Sequence, residues 1–377
     1  MHMSSLYIHI PFCLGKCEYC SFNSYPGMES LFRRYIKAVK KEIVEQFFAG
    51  KSRNLDTVFF GGGTPSILPA EDIEDMISCC QEYLGIVEEA EISLEVNPKT
   101  VDFMKLLQLR QAGVNRISIG VQSFIDEELG ALGRLHSAQD GWDCVRDAVS
   151  AGFTNISLDL MYGVPGQSVD KWRWNLETAL SLGLTHLSLY QLTIEDGTPF
   201  AKEFSEGKLF LPEEDEIIMM DQLSVDLCKK EGFEQYEISN FALPGFECRH
   251  NINYWKNLEY IAVGAGGVGY FDGVREKNIH EPNAYCEAVE SGTSVVEESE
   301  KLGQEESFRE SVVIGLRMVK GVSYGALFDR YNINLREHYG DILTPLLEEG
   351  FVEFTDSHFR LTTKGRPLAN QILSRLV

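Results

Sequence analysis

Six short apolar, β-branched runs recur through the first half of the chain: Leu6 to Ile10, Thr57 to Phe60, Ile92 to Val96, Arg116 to Val121, Asn155 to Leu160 and His186 to Leu192. Each has the length and composition of a strand. Amphipathic segments lie between them. Phe32, Tyr35, Ile36, Val39, Ile43 and Phe47 keep a helical period, and Gly50 stands where a helix C-terminus would stop it. Nearly continuous apolar strands alternating with helices predict an α/β fold with a parallel sheet covered by helices. It is either a partial (β/α) barrel or a doubly wound sheet. Both architectures place chemistry at the carboxyl ends of the strands.

The residues that follow these runs fit that rule. Three cysteines follow the first run, and Gly61-Gly62-Gly63-Thr64-Pro65-Ser66 follows the second. Glu95, Asn97 and Pro98 close the third, Gln122 the fourth, Asp159 sits in the fifth, and Tyr190, Gln191 and Thr193 end the sixth. Each alone has an ordinary explanation, a turn glycine or a helix cap. Six strand ends carrying polar or glycine-rich residues together predict one site.

Composition narrows the partners. With 57 acidic against 34 basic side chains the formal charge is −23, which repels phosphate backbones and anionic headgroups, so no nucleic-acid partner is expected. No apolar run approaches the roughly 18 residues of a membrane helix. Met1-His2-Met3-Ser4-Ser5 reads as no leader, so the cytoplasm is the expected compartment, with peripheral membrane contact left open. The nine cysteines do not form a secreted disulfide pattern. Cys80 shares a helical stripe with Ile73, Met76, Ile77 and Leu84 and reads as a core thiol, as do Cys144 and Cys228.

Cys13-x3-Cys17-x2-Cys20 is different, because three thiolates converging from one loop bind a soft metal or a cluster. Structural zinc wants four closed ligands and the next cysteine is distant, at Cys79. A lone triad on a [4Fe-4S] cluster leaves one iron open to a substrate or cofactor. This spacing, with Tyr19 before the last cysteine, resembles the radical S-adenosylmethionine (SAM) superfamily, and Gly61-Gly62-Gly63-Thr64 resembles that family's glycine motif for the SAM amine. The resemblance implies a partial (β/α)6 radical-SAM barrel and a SAM molecule chelated by the open iron, cleaved in that family to a 5′-deoxyadenosyl radical.

Further segments resemble the oxygen-independent coproporphyrinogen III oxidase family: Tyr7 to Cys13, Glu95 to Pro98, Gly120 to Ser123, Leu132 to His136, Asp159 to Gln167 and Tyr236 to Phe241. By this resemblance Cys13, Cys17 and Cys20 hold the cluster, and Tyr7, Gly62, Gly63, Thr64, Glu95, Gln122, Arg134 and Asp159 contact SAM. Two features depart from the oxidase. Phe22 stands where it carries a further cysteine, and 12 residues precede Cys13 where it has a long extension. Both resemble the HemW-type haem chaperones instead. So does Arg249-His250-Asn251-Ile252-Asn253-Tyr254-Trp255, which matches the group's H-N-x-x-Y-W signature.

That resemblance implies haem binding and delivery to an acceptor protein, with an electron donor as a second partner. His250 is the candidate haem ligand, Cys248 its alternative, and Tyr254 and Trp255 an aromatic wall. The alternatives are SAM-dependent oxidative decarboxylation of coproporphyrinogen III to protoporphyrinogen IX, or a radical enzyme with an unrelated substrate. Whether the chain is an enzyme stays open at this point. Gly264-Ala265-Gly266-Gly267-Val268-Gly269 fits G-x-G-x-x-G but opens no helix of a βαβ unit, which argues against a dinucleotide site.

The expected divisions are 1–240 for the barrel, 241–304 for the signature, glycine-rich segment and connection, and 305–377 for a C-terminal winged-helix-like α+β domain. In the last part Ser307 to Met318, Tyr324 to Tyr331 and Leu335 to Glu349 read as helices before a two-strand wing, Phe351 to Phe354 and Phe359 to Thr362. The third of these helices carries Glu337, Asp341, Glu348 and Glu349 against Arg336, unsuited to reading DNA.

Overall fold

The structure, a computed structural model, describes residues 4–51 and 54–377; Met1-His2-Met3, part of the stretch inspected for a leader, lies outside the described residues. The six expected strands form as β1 (Ser5–Ile10), β2 (Leu55–Gly62), β3 (Ile86–Val96), β4 (Arg116–Gln122), β5 (Asn155–Tyr162) and β6 (His186–Gln191). They lie side by side in chain order, all parallel. Helices α1 (Phe32–Phe48), α2 (Ala70–Tyr83), α3 (Phe103–Gln111), α4 (Asp126–Ala131), α5 (Ala138–Ser150) and α6 (Val169–Leu180) fall between them. This is the partial (β/α)6 barrel, and its order follows from the right-handed crossovers that parallel strands require.

Alternation along each strand divides its side chains. In β1, Leu6, Ile8 and Ile10 are wholly buried in the main hydrophobic core together with Tyr35, Val39 and Ile43 of α1. Tyr7 and His9 take the opposite face, where Tyr7 stacks near Phe59 of β2. Cys80, Cys144 and Cys228 are core thiols as expected.

Beyond β6 come α7 (Pro199–Ser205), α8 (Glu214–Lys230), the short strands β7 (Glu234–Gln235) and β8 (Asn240–Ala242), and α9 (Arg249–Trp255), which carries the H-N-x-x-Y-W signature. Strand β9 (Tyr260–Val263) then returns to the far side of the sheet and pairs parallel with β1. The stretch expected to connect the two parts is built of β10 (Val268–Phe271), β11 (Val274–Asn278), α10 (Pro282–Ser291) and β12 (Val296–Lys301). Its strands extend the sheet antiparallel, and Tyr285 and Cys286 of α10 enter the main core. The glycine-rich segment turns between β9 and β10 without opening a helix.

A second hydrophobic cluster runs from Phe308 to Leu376. It holds α11 (Gln304–Gly315), β13 (Val322–Ser323), α12 (Tyr324–Tyr331), α13 (Leu335–Tyr339), α14 (Leu343–Glu348), β14 (Val352–Phe354) and β15 (His358–Leu361), with a three-stranded sheet ordered β13-β15-β14. That is the element order of a winged helix. The single helix expected over Leu335 to Glu349 is two, parted by a 3-10 turn at Gly340–Ile342, where Gly340 has φ 44°.

Candidate functional site

The site is built where β1 and β2 end. After Ile10 the chain runs through Pro11 and Phe12 into the cysteine loop, which closes when Phe12–Cys13 pairs with Tyr25–Pro26. The glycine run of β2 lies against its entrance. The amide of Gly63 donates to Ile10 O at 2.8 Å and that of Thr64 to Phe12 O at 2.8 Å. A Cβ on Gly63 would stand 2.7 Å from Phe12 O, so this approach requires glycine. Thr64 Oγ1 is consequently 3.4 Å from Cys13 Sγ.

Cys13, Cys17 and Cys20 are all partly accessible. Burial, in each case the first cause, raises the pKa of Cys13 and Cys20, and neighbouring thiols add to it. Among the described residues no three His, Cys, Asp or Glu close on one point as the ligands of a single metal ion would. A [4Fe-4S] cluster takes each thiolate on a different iron and so needs thiols on one loop at wider spacing; the loop fits that donor set. Arg134 braces it, donating through Nη1 to Cys17 Sγ at 3.4 Å and through Nη2 to Gly120 O at 2.6 Å on β4. Its buried Nε has no hydrogen-bond partner.

From this loop the remaining SAM candidates continue across the strand ends. Gly62 donates its amide to Glu95 Oε2 at 3.1 Å, and Ser118 of β4 donates to Asp159 Oδ1 at 3.0 Å. Loss of water, then the charge of Asp159, pushes Glu95 up to about 8. Burial also raises Asp159, opposed by bonds from Ser118 and Ser188. Two acids that raise each other in this way are relieved by a cation. Gln122 ends β4 with φ 69°, beside a register shift against β5. Its Nε2 and the Arg134 guanidinium both lie against Gly120.

Tyr7 is held by His9, a residue given no role from sequence. His9 Nε2 lies 3.0 Å from Asn23 O, a carbonyl, so Nε2 carries the proton. Nδ1 at 3.0 Å then accepts from the Tyr7 hydroxyl, and burial lowers the His9 pKa, keeping the ring neutral. The only signal for His9 was its place inside the Tyr7 to Cys13 segment. Asn23, also unassigned from sequence, ties the cysteine loop to the other edge of the sheet by donating to Ala265 O at 3.1 Å and His280 O at 3.0 Å.

The haem-ligand expectation meets a different environment. His250 is 1% exposed, with Nδ1 2.7 Å from Thr57 Oγ1 and Nε2 2.8 Å from Tyr254 Oη. Both ring nitrogens are engaged, the ring stacks on Phe59 with centroids 5.0 Å apart, and burial followed by Arg116 lowers its pKa to about 3. Neither nitrogen is open to an iron. Cys248 is fully buried, 3.5 Å from Glu91 Oε1. Glu91 also accepts the amides of Arg249 at 2.9 Å and His250 at 3.2 Å, holding the start of α9. Tyr254 packs on Tyr260 at 4.5 Å and Trp255 faces the Arg317 guanidinium at 4.8 Å, so the signature ties α9 to the sheet and to the C-terminal unit.

Comparison with known proteins agrees with this architecture. The profile of the radical SAM superfamily matches residues 7–179 and that of the HemN C-terminal domain residues 302–368. The heme chaperone HemW of Bacillus subtilis is 35% identical over 98% of this chain and 98% of its own length. The Escherichia coli heme chaperone HemW is 33% identical over 98% and 97%. The solved structure of E. coli coproporphyrinogen III oxidase HemN superposes with a TM-score of 0.86 at 23% identity, covering 100% of this chain and 90% of that one. Likeness at that identity speaks for the fold; the likeness to the chaperones runs through both sequences end to end, and by it the chain belongs to the heme chaperone HemW family of the radical SAM superfamily.

Proposed function

We propose that this chain is a haem chaperone that carries a [4Fe-4S] cluster on Cys13, Cys17 and Cys20, binds SAM along the strand ends, and passes haem to an acceptor protein in the cytoplasm. The observation that carries this reading is the end-to-end identity with the HemW chaperones. Phe22, where the oxidase resemblance calls for a fourth loop cysteine, points the same way. When bound, the cluster supplies a low-potential electron and an open iron for SAM.

The chain's own residues prepare that site. Arg134 fixes Cys17 relative to β4, and the Gly63 and Thr64 amides fix the loop entrance against β2. Glu95 and Asp159, each raised by burial, are matched to the cationic SAM, and Tyr7, Gly62, Thr64 and Gln122 complete its walls. The acceptor and the electron donor are protein partners of unassigned identity. Among the described residues no helix is long and apolar enough to cross a membrane, and the charge of −23 disfavours nucleic acid.

The test is direct. Anaerobically reconstituted protein should bind haem with a stable spectrum and should leave coproporphyrinogen III unconverted in the presence of SAM and a reductant. Sustained conversion without a stable haem complex would assign the oxidase reaction instead.

A further inference from the structure

On the solvent side of the cysteine loop lies an open cleft of about 340 Å³. Lys16, Phe22, Asn23 and Tyr25 of the loop form one wall, and Lys277 and His280, from the end of β11 and the turn before α10, form the other. The walls are clamped before any ligand arrives. Asn23 and Tyr25 both donate to His280 O, at 3.0 and 3.3 Å, and Asn23 donates also to Ala265 O.

Three features of this cleft select a ligand class. Phe22, two residues after the last cysteine, is 66% exposed, an aromatic face with nothing covering it. His280 is exposed, and its Nδ1 lies 3.0 and 3.1 Å from the two oxygens of Glu297. In the neutral ring Nδ1 therefore donates to the carboxylate, and the lone pair sits on Nε2 at the opposite edge. That is how outer carboxylates orient metal-ligating imidazoles and raise their basicity. Lys16 and Lys277 add two ammonium groups in a strongly acidic chain. Lys277 is paired with Glu298 at 2.7 Å and Lys16 with Phe22 O at 3.2 Å; both pairs are exposed, and such contacts exchange readily.

An imidazole lone pair, an aromatic face and two cations match an iron porphyrin with two carboxylates. We propose that this cleft is the haem site, with His280 Nε2 as an axial ligand, Phe22 against the porphyrin face and Lys16 and Lys277 on the propionates. The proposal rests on the chaperone reading and replaces His250 as the ligand. Ligand clefts span about 300 to 1,000 Å³. At the low end of that range, this one grips part of a haem and leaves the rest exposed, which suits handing it on.

Haemin titrated anaerobically into the full-length, cluster-loaded protein tests this by absorption and EPR. One equivalent with a histidine-ligated spectrum is expected. His280→Ala should shift the Soret band, change the iron spin state and raise the Kd by at least about tenfold, since loss of even an outer partner of a ligating His costs about 10- to 100-fold in metal affinity. Phe22→Ala should raise the Kd while leaving the ligand signature. Glu297→Gln should keep the ligand but raise the haem midpoint potential, because the imidazole becomes a poorer donor. All three positions are outside the core, so the variants should fold. If wild-type protein binds one haem and neither His280→Ala nor Phe22→Ala alters spectrum or Kd, the siting is wrong and the chaperone reading stands. A wild-type protein that binds no haem would overturn both.

Discussion

Replacing Gly62 by alanine adds one carbon at the most constrained point of the SAM site. The new Cβ would lie 2.5 Å from His9 Cε1 and 2.8 Å from each ring nitrogen, on a backbone with φ +113°. The imidazole cannot swing aside freely, because Tyr7 and Asn23 hold both of its nitrogens at 3.0 Å. Breaking those two bonds costs about 0.5–1.5 kcal/mol each, and the backbone strain adds about 1–3 kcal/mol. Together the loss should be about 2–6 kcal/mol. Displacing His9 also releases Tyr7, and shifting the Gly62 amide releases Glu95, so SAM should bind more weakly while iron and sulfide content stay at wild-type levels. Urea unfolding gives the first quantity, and anaerobic calorimetry the second. Placing Gly62→Ala in a His9→Ala background removes the obstacle and should leave only the strain, a difference a double-mutant cycle isolates. An unfolding free energy within about 0.5 kcal/mol of wild type, with unchanged SAM affinity, would refute the argument.

Serine at Cys13, Cys17 or Cys20 should abolish the [4Fe-4S] absorption and the bound iron and sulfide, whereas serine at Cys79, buried on α2, should not; zinc in place of iron and sulfide in anaerobically purified protein would count against the cluster. Glu42 is a buried acceptor for the amide of Gly264, the Tyr285 hydroxyl and Asn278 Nδ2, at 2.8, 2.6 and 2.8 Å. Glu42→Gln turns one acceptor into a donor facing donors, at a cost of about 1–3 kcal/mol. Burial raises Glu42 from 4.5 to about 7 against the pull of those three bonds. A raised acid favours the folded state fully below its unfolded value and loses that contribution as pH rises through about 7. The gap between wild type and Glu42→Gln in denaturant titrations should therefore narrow from pH 5 to pH 8, and parallel pH profiles would contradict the assignment.

The first six strands were legible because each is apolar on both faces, ends in a polar or glycine-rich residue, and is separated from the next by a helical period. Strands β11 and β12 were not. Val-Arg-Glu-Lys-Asn and Val-Glu-Glu-Ser-Glu-Lys pair antiparallel at the sheet's edge, where exposed faces impose no apolar pattern, and the stretch read as a polar connection. The break at Gly340 was missed for another reason. The apolar period of Leu335, Tyr339, Leu343 and Leu346 continues through it into one buried cluster, so periodicity had nothing to register.

Within the site, what is local in sequence was readable and what is brought together by topology was not. The cysteine spacing and the glycine run are contiguous, and their chemistry follows from their order. The signature around His250 was readable as a motif, yet its partners Thr57 and Glu91 lie 193 and 159 residues away, and only those contacts distinguish an engaged core imidazole from a free ligand. The cleft beside Phe22 has the same origin. Its two walls are separated by some 250 positions and meet because β9 inserts next to β1 and carries the glycine-rich turn to Asn23. An exposed aromatic in one wall and a carboxylate-oriented histidine in the other are each unremarked surface residues until that strand pairing sets them across a gap of ligand size. A triad loop that faces SAM on its barrel side and this cleft on its solvent side would place the cluster between the two ligands.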